Sequence, residues 1–402
     1  MRTILCQQKK AGLKSLFMIK CAVICSLNMY RILSHAFFSN YGGILQAFAL
    51  QKAICGLGWA CDTVNYTPHG WCEWLTKQGL RAKLRYWWRL AAIQFCNKHE
   101  CIPRYLVPAR HALFKKCFMH LFHLDWHYRQ MKKLTKTNAF IVGSDQVWRC
   151  EYVREMGVPM YFLSFATQEQ RRRSIAYAAS FGSDEWEGTP EETAECAKLI
   201  KDFKAVSVRE HSGIHICKEV FGVDAVQMPD PTLLLDAEDY SKVIRRWWTR
   251  KLPQPFMSVY LLDETEEKKE LTQSVAKTTQ LYPQQLTAHE DAPKAMDRIP
   301  LSVPQWLRCM CDCECVLTDS FHGCVFAIIF NKPFVCLGNE ARGSARFDSL
   351  LGTFNLQNRL LTNPTAEQVS ECMHTPIDWE RVNAIRHSEK QRAIQFLKHN
   401  LE

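Results

Sequence analysis

The sequence predicts an α/β fold of two Rossmann-like domains facing a cleft, and three observations carry that expectation. Short apolar runs recur along the chain, each stopping at polar residues and restarting with helical spacing, as strand–turn–helix units of a parallel sheet do. The length of 402 residues exceeds what one hydrophobic core usually supports. Between Asp236 and Pro255 the texture turns charged and closes on Pro253 and Pro255, which places a connection there.

Composition narrows the class. With 47% apolar and 23% charged residues the balance is that of an ordinary globular protein. Lys and Arg outnumber Asp and Glu by 51 to 41, and a net charge of +10 favours anionic partners, whether phosphates, acidic sugars, nucleic acid or a membrane surface, without choosing among them. Much of the excess lies at residues 76–136, where basic and aromatic residues alternate in helical fashion. A basic helical insertion of solvated amphipathic helices with snorkelling basic side chains is expected there. For the chain as a whole the expected partners include peripheral contact with a membrane surface and no nucleic acid. No stretch reaches the ~20 uninterrupted apolar residues of a membrane span, so a soluble protein is expected, and the placement of its cysteines makes a reducing, cytoplasmic setting the expectation. The 19 cysteines sit inside apolar runs, where a reduced thiol is a small hydrophobe. Cys309, Cys311, Cys313 and Cys315 are spaced by two, unlike the paired C-x-x-C of zinc or redox sites, and neither metal nor cofactor is expected.

Along the chain, residues 20–26 read as a first strand, because Lys20 interrupts a run that would otherwise resemble a signal peptide. A polar loop follows, then a helix from about Ile44. Gly42 and Gly43 precede it, where they let backbone approach a ligand closely. Four strands come next. Residues 139–142 run into Gly143-Ser144-Asp145, and 174–179 run into Ser180-Phe181-Gly182. Residues 206–208 run into Arg209-Glu210, and 226–228 into Pro229-Asp230-Pro231. In a doubly wound sheet these ends form one crevice. The second set has a strand at 256–262, a helix at 264–278 and a helix from about Val303. Residues 316–317 then form a strand that breaks at Thr318-Asp319-Ser320-Phe321-His322-Gly323 before an apolar helix. A strand at 333–337 leads into a loop carrying Arg342 and Arg346, and an amphipathic helix at 379–397 closes the chain. Residues 18–235 and 256–402 are thus expected as two domains, joined by 236–255.

The break at Asp319, Ser320 and His322 puts a histidine beside helix N–H groups that favour an anion. His322 is the candidate general acid/base, while Asp145 and Asp319 are the carboxylates placed to deprotonate a hydroxyl. Helix capping by Ser320 and turn formation by the two aspartates are the competing structural explanations.

Taken together, N-Y-G-G-x-L-Q-A-x-A-L-Q from Asn40, V-G-S-D-Q-V-W from Val142, Y-A-A-S-F-G from Tyr177, S-V-R-E from Ser207, D-P-T-L-L-L from Asp230 and T-D-S-F-H-G from Thr318 resemble the polysaccharide pyruvyl transferase family. Six motifs in this order over roughly residues 19–359 are specific, and residues 1–17 lie outside them as an expected extension. The resemblance implies a fold similar to the B-type glycosyltransferases. It also implies transfer of a pyruvyl group from phosphoenolpyruvate, as a ketal, onto a sugar or lipid-linked saccharide. Arg209 and His322 match the family's substrate-binding arginine and its histidine. Ser320 stands where better-known members carry an arginine, so Arg346 or Arg342 is expected to supply the missing charge, with Ser144, Gly42 and Gly43 lining the site. Two other classes compete: a B-type glycosyltransferase using a nucleotide sugar, and a non-catalytic binder of anionic glycans.

Overall fold

The computed structural model describes residues 29–35, 41–64, 124–125, 137–246, 249–287, 301–338 and 345–402. Its first sheet is made of β1 (Met29–Leu33), β2 (Ala60–Val64), β3 (Leu124–Asp125), β4 (Ala139–Gly143), β5 (Ile175–Ala179), β6 (Ala205–Val208) and β7 (Val226–Gln227). They lie in the order β3-β2-β1-β4-β5-β6-β7 with every pair parallel. The second sheet comprises β8 (Phe256–Tyr260), β9 (Tyr282–Gln285), β10 (Cys315–Thr318), β11 (Phe334–Leu337) and β12 (Leu360–Leu361). Its order is β12-β11-β10-β8-β9, again all parallel. Strand order reverses between β1 and β4 in one sheet and between β8 and β10 in the other, the positions where open α/β sheets bind ligands.

Twelve helices flank these strands among the described residues: α1 (Tyr41–Gly56), α2 (Cys150–Val153), α3 (Gln168–Arg172), α4 (Pro190–Ile200), α5 (His211–Glu219), α6 (Ala237–Arg246), α7 (Glu266–Thr279), α8 (Val303–Asp312), α9 (Phe321–Ile329), α10 (Ala345–Phe354), α11 (Ala366–His374) and α12 (Trp379–Leu401). The strand expected at residues 20–26 lies outside the described residues. The strand beside β4 is instead Met29–Leu33, which carries Arg31 at its centre and so lacks the unbroken apolar run of a buried strand. Most of the basic stretch at 76–136 also lies outside the description. The segment expected as a connection contains α6, an amphipathic helix that buries Tyr240, Val243 and Ile244.

Helix α1 sets the geometry of the cleft. From Tyr41 to Gln51 every residue is buried, Gln46 included, as a helix segment apolar all round must be. Leu50 and Ile54 join the core of the first sheet, while Tyr41, Ile44, Leu45 and Phe48 join that of the second. Tyr41 stacks on Trp306 at 5.4 Å between centroids and donates a hydrogen bond to the Leu301 carbonyl at 2.8 Å. The chain's last helix returns the other way: Ala393, Leu397 and Leu401 of α12 pack with Ile32, Ile141 and Tyr177 of the first sheet. The Tyr30 hydroxyl donates to the Leu401 carbonyl at 2.6 Å.

Strand β5 contains a bulge, visible as a register shift against β6 between Ala176 and Ala179, with Ala178 at φ +45°. Ser207 staples it: its hydroxyl donates to the Ala176 carbonyl and accepts from the Ala178 N–H, both at 2.9 Å. The bulge turns Ser180 toward the end of β4, where its N–H reaches the Asp145 carbonyl and its carbonyl accepts from Trp148.

Among the described residues every cysteine is a free thiol, and no group of His, Cys, Asp and Glu has metal-site geometry. Cys309 and Cys311 lie on α8, Cys313 is its C-cap and Cys315 lies on β10, so the four spaced cysteines share no single element. No helix among the described residues is long and apolar enough to cross a membrane.

Candidate functional site

The turn between β10 and α9 assigns each of its residues a distinct task. The Thr318 hydroxyl donates to the Tyr260 carbonyl of neighbouring β8 at 2.7 Å and accepts from the Ser320 N–H at 3.0 Å. Gly323 leaves room for it, since a Cβ there would overlap the Thr318 side chain. Asp319 points away from α9. Its Oδ1 accepts from the Leu262 N–H at 2.6 Å, and its Oδ2 from the Asp263 N–H at 3.1 Å and from Lys268 Nζ at 2.7 Å. The carboxylate that the sequence offers as a base is therefore committed to holding the β8–α7 loop. Ser320 occupies the N-cap position without a side-chain capping bond.

Two residues of this turn face the first sheet. Phe321 lies under the Arg209 guanidinium at 4.6 Å. His322 Nε2 lies 3.5 Å from Asp230 Oδ2, and Arg209 Nη1 lies 3.1 Å from the same oxygen. The other oxygen, Oδ1, accepts from the Thr232 N–H at 2.9 Å and the Thr232 hydroxyl at 2.6 Å. One carboxylate thus fastens an arginine from the end of β6 and a histidine from the start of α9. Burial alone would raise the Asp230 carboxyl, but His322, Arg209 and Thr232 overcome that and hold it well below the usual carboxylate range. At 3.5 Å the histidine contact has ion-pair range yet is too long for a well-formed hydrogen bond, so Nε2 retains hydrogen-bonding capacity.

Asp230 engages only Nη1 of Arg209. The Nε and Nη2 atoms are enclosed and make no hydrogen bond within the protein. That pair is the fork edge with which a guanidinium takes a carboxylate or phosphate side-on. On the opposite side of His322 stands Gly42 in the first turn of α1, where a Cβ would overlap the imidazole at Nδ1. The N–H-bearing ends of α1 and α9 therefore meet around the histidine. Gly43 is buried in the same turn.

The edge of the first sheet contributes a second group. Asp145 Oδ1 accepts from the Gln146 N–H at 2.9 Å, a local turn bond. Ser144 and Ser180 are buried with hydroxyls lacking a partner within the protein. Glu210, fully buried, accepts from the Phe181 and Gly182 N–H groups through Oε1 at 2.5 and 3.1 Å, leaving Oε2 without a partner. Arg346 reaches this edge from α10. Burial pushes its guanidinium down to about 10; the like charge of Arg209 adds to that, while Glu210 and Asp145 oppose it. Arg342 lies outside the described residues.

The structure thus brings His322, Arg209 and Gly42 together, with Arg346 lining the same pocket as Arg209. Asp145, Ser144 and Ser320 stand at neighbouring strand ends and helix starts, and Asp319 is tied elsewhere. Asp230 is not among the candidate site residues that the sequence offers, yet it contacts both Arg209 and His322. The signal available was its place in D-P-T at a strand end, within reach of the S-V-R-E arginine.

Comparison with known proteins agrees with the motif reading. No curated protein matches the chain. Among solved structures, a Staphylococcus aureus MnaA–UDP complex is 11% identical over 93% of this chain and 96% of its own, with a TM-score of 0.48. Arabidopsis thaliana UGT89C1, complexed with UDP-L-rhamnose, is 9% identical over 92% and 97%, with a TM-score of 0.45. The family model for polysaccharide pyruvyl transferase matches residues 40–341, which include the Gly42 turn, Arg209, Asp230 and His322. With the model spanning most of its length, the chain belongs to the polysaccharide pyruvyl transferase family, an enzyme family of transferase type.

Proposed function

We propose that this cleft moves the pyruvyl group of phosphoenolpyruvate onto two hydroxyls of a saccharide, free or lipid-linked. One observation carries the reading: Arg209 presents an unpaired Nε–Nη2 fork beside His322, both fastened to Asp230. The fork suits the carboxylate or phosphate of a small dianionic donor, and the neighbouring imidazole suits proton transfer to it.

A proton from His322 converts the donor's methylene to a methyl group while one sugar hydroxyl oxygen bonds to C2. That hydroxyl's proton passes to Asp145, whose turn geometry leaves one carboxylate oxygen for it. The second hydroxyl oxygen then bonds to C2 as the C2–O bond to phosphate breaks. Phosphate leaves, and the second hydroxyl's proton is released with it. Asp319 has no part in these steps, because its oxygens are occupied by backbone N–H groups and Lys268.

Calorimetry separates this reading from its competitors. Phosphoenolpyruvate is expected to bind the full chain at a single site, with nucleotide sugars giving no heat. Tight binding of a uridine diphosphate sugar in its place would favour glycosyl transfer. Binding of polyanions alone, with steep salt dependence, would mark a glycan binder.

A further inference from the structure

We infer that the carboxyl edge of β1 and β4, with Tyr152 beside it, is a saccharide subsite: a pyranose ring packs its C–H face on Tyr152 while its hydroxyls bond Ser34, His35 and Ser144. That this saccharide is the pyruvyl acceptor rests on the pyruvyl transfer reading; that a pyranose packs here does not.

Strand order in the first sheet reverses between β1 and β4, yet Arg209, Asp230 and His322 stand after β6, after β7 and on α9, and leave that reversal unused. Leu33 pairs with Val142, so Ser34 and His35 continue β1 alongside Gly143 and Ser144. The hydroxyls of Ser34 and Ser144, residues each 2% exposed, have no hydrogen-bond partner among the described residues, and neither has Nε2 of His35. Ser180, whose hydroxyl is also without one, is brought to the same edge by the bulge in β5. Buried polar groups left unpaired are uncommon and costly, and four of them at one strand edge point to a ligand rich in hydroxyls. Beside them Tyr152, on α2, is 41% exposed and yet held in place. The Arg149 guanidinium lies 4.5 Å from its ring centroid, Arg149 Nη1 donates to its hydroxyl at 3.3 Å, and Glu151 anchors the same arginine at 2.9 Å. His35 meets the Tyr152 ring at right angles, 6.4 Å between centroids, and stacks on buried Tyr161. The imidazole thus links the open ring to the unpaired hydroxyls. A fixed aromatic surface suits the C–H face of a sugar, and the serines and imidazole next to it suit the sugar's hydroxyls. Arg346 lies within electrostatic reach of Tyr152 and Asp145, so a saccharide on this edge adjoins both the arginine-lined pocket and the carboxylate proposed to deprotonate it.

The test records saturation-transfer NMR on the full chain with the methyl β-glycosides of galactose, glucose, mannose and N-acetylglucosamine, and with sorbitol as a polyol that has hydroxyls but no ring face. At least one glycoside is expected to bind, with saturation strongest on its ring C–H protons, and sorbitol to give no signal. Tyr152→Ala is expected to weaken that glycoside by about tenfold or more, and Tyr152→Phe to keep most of the affinity. Ser34→Ala is expected to weaken it several-fold with a melting temperature unchanged or raised, because the hydroxyl has no partner to lose. Melting curves establish that each variant is folded, and phosphoenolpyruvate affinity should stay within a few-fold in all three. Absence of glycoside binding to the unmodified chain, sorbitol binding as well as the glycosides, or an affinity unmoved by Tyr152→Ala would overturn the subsite. Tyr152-dependent glycoside binding with no heat from phosphoenolpyruvate would leave the subsite standing and sink the donor reading. Phosphoenolpyruvate binding alongside glycoside affinity independent of Tyr152 would do the reverse.

Discussion

Gly42 of α1 lies so close against the imidazole of His322 that no side chain larger than hydrogen fits between them. The contact joins the first helix of one sheet to the first turn of the other's site helix, and with Asp230 on the far side it fixes where the ring stands.

Gly42→Ala separates positioning from helix stability. Alanine favours a helix over glycine by up to about 1 kcal/mol, but here the methyl group must displace His322 or α1 itself. Turnover is expected to fall by roughly 10² while the melting temperature shifts little, since general acid/base contributions are of that size. Measured kcat near that of the unmodified chain would show that the ring tolerates displacement.

Asp230 makes stability depend on pH. Its folded-state carboxyl titrates below the unfolded value near 4, so its contribution is fully present above about pH 4 and is lost as pH falls toward the folded value. Asp230→Asn removes one partner of a buried ion pair and is expected to cost about 3–5 kcal/mol at neutral pH. Denaturant titrations from pH 7 to 3 should show the gap between the two proteins narrowing only in the acid range. A gap of constant size would mean the carboxyl is not perturbed by its partners.

The fold was legible where apolar periodicity dominates, and the strand ends at Gly143, Ala179, Val208 and Thr318 all emerge from runs that stop at polar residues. What escaped was whatever long-range packing decides. Arg31 disguises β1 because a sheet can accommodate one long polar side chain that a local pattern cannot forgive. The all-round burial of α1 from Tyr41 to Gln51, Gln46 included, follows from its place between two sheets, which no single helix pattern reveals. The return of α12 to the first sheet is likewise invisible in sequence order. Within the candidate site, motif and position single out Arg209 and His322, which stand on one carboxylate, Asp230. Asp230 and Asp319, one before a proline and one after a strand, look alike in sequence and differ in their partners: Asp230 holds Arg209 and His322, and Asp319 holds Lys268 and the β8–α7 loop.

The structural commitment of Asp319 gives a third expectation. Asp319→Asn loses the Lys268 ion pair and one acceptor for the β8–α7 loop, and is expected to lower stability by about 3 kcal/mol. Affinity for phosphoenolpyruvate and turnover of the folded fraction should remain within a few-fold. A variant with an unchanged melting temperature and abolished turnover would restore Asp319 as a catalytic group.

Phosphate release by His322→Gln, measured alongside its donor affinity, tests most directly the proposed proton transfer from His322 to phosphoenolpyruvate in this cleft. The expected result is turnover lower by roughly 10² to 10⁴ with phosphoenolpyruvate affinity within a few-fold of the unmodified chain. Phosphate release at an undiminished rate would contradict it, and would return His322 to the role of a packed residue between Gly42 and Asp230.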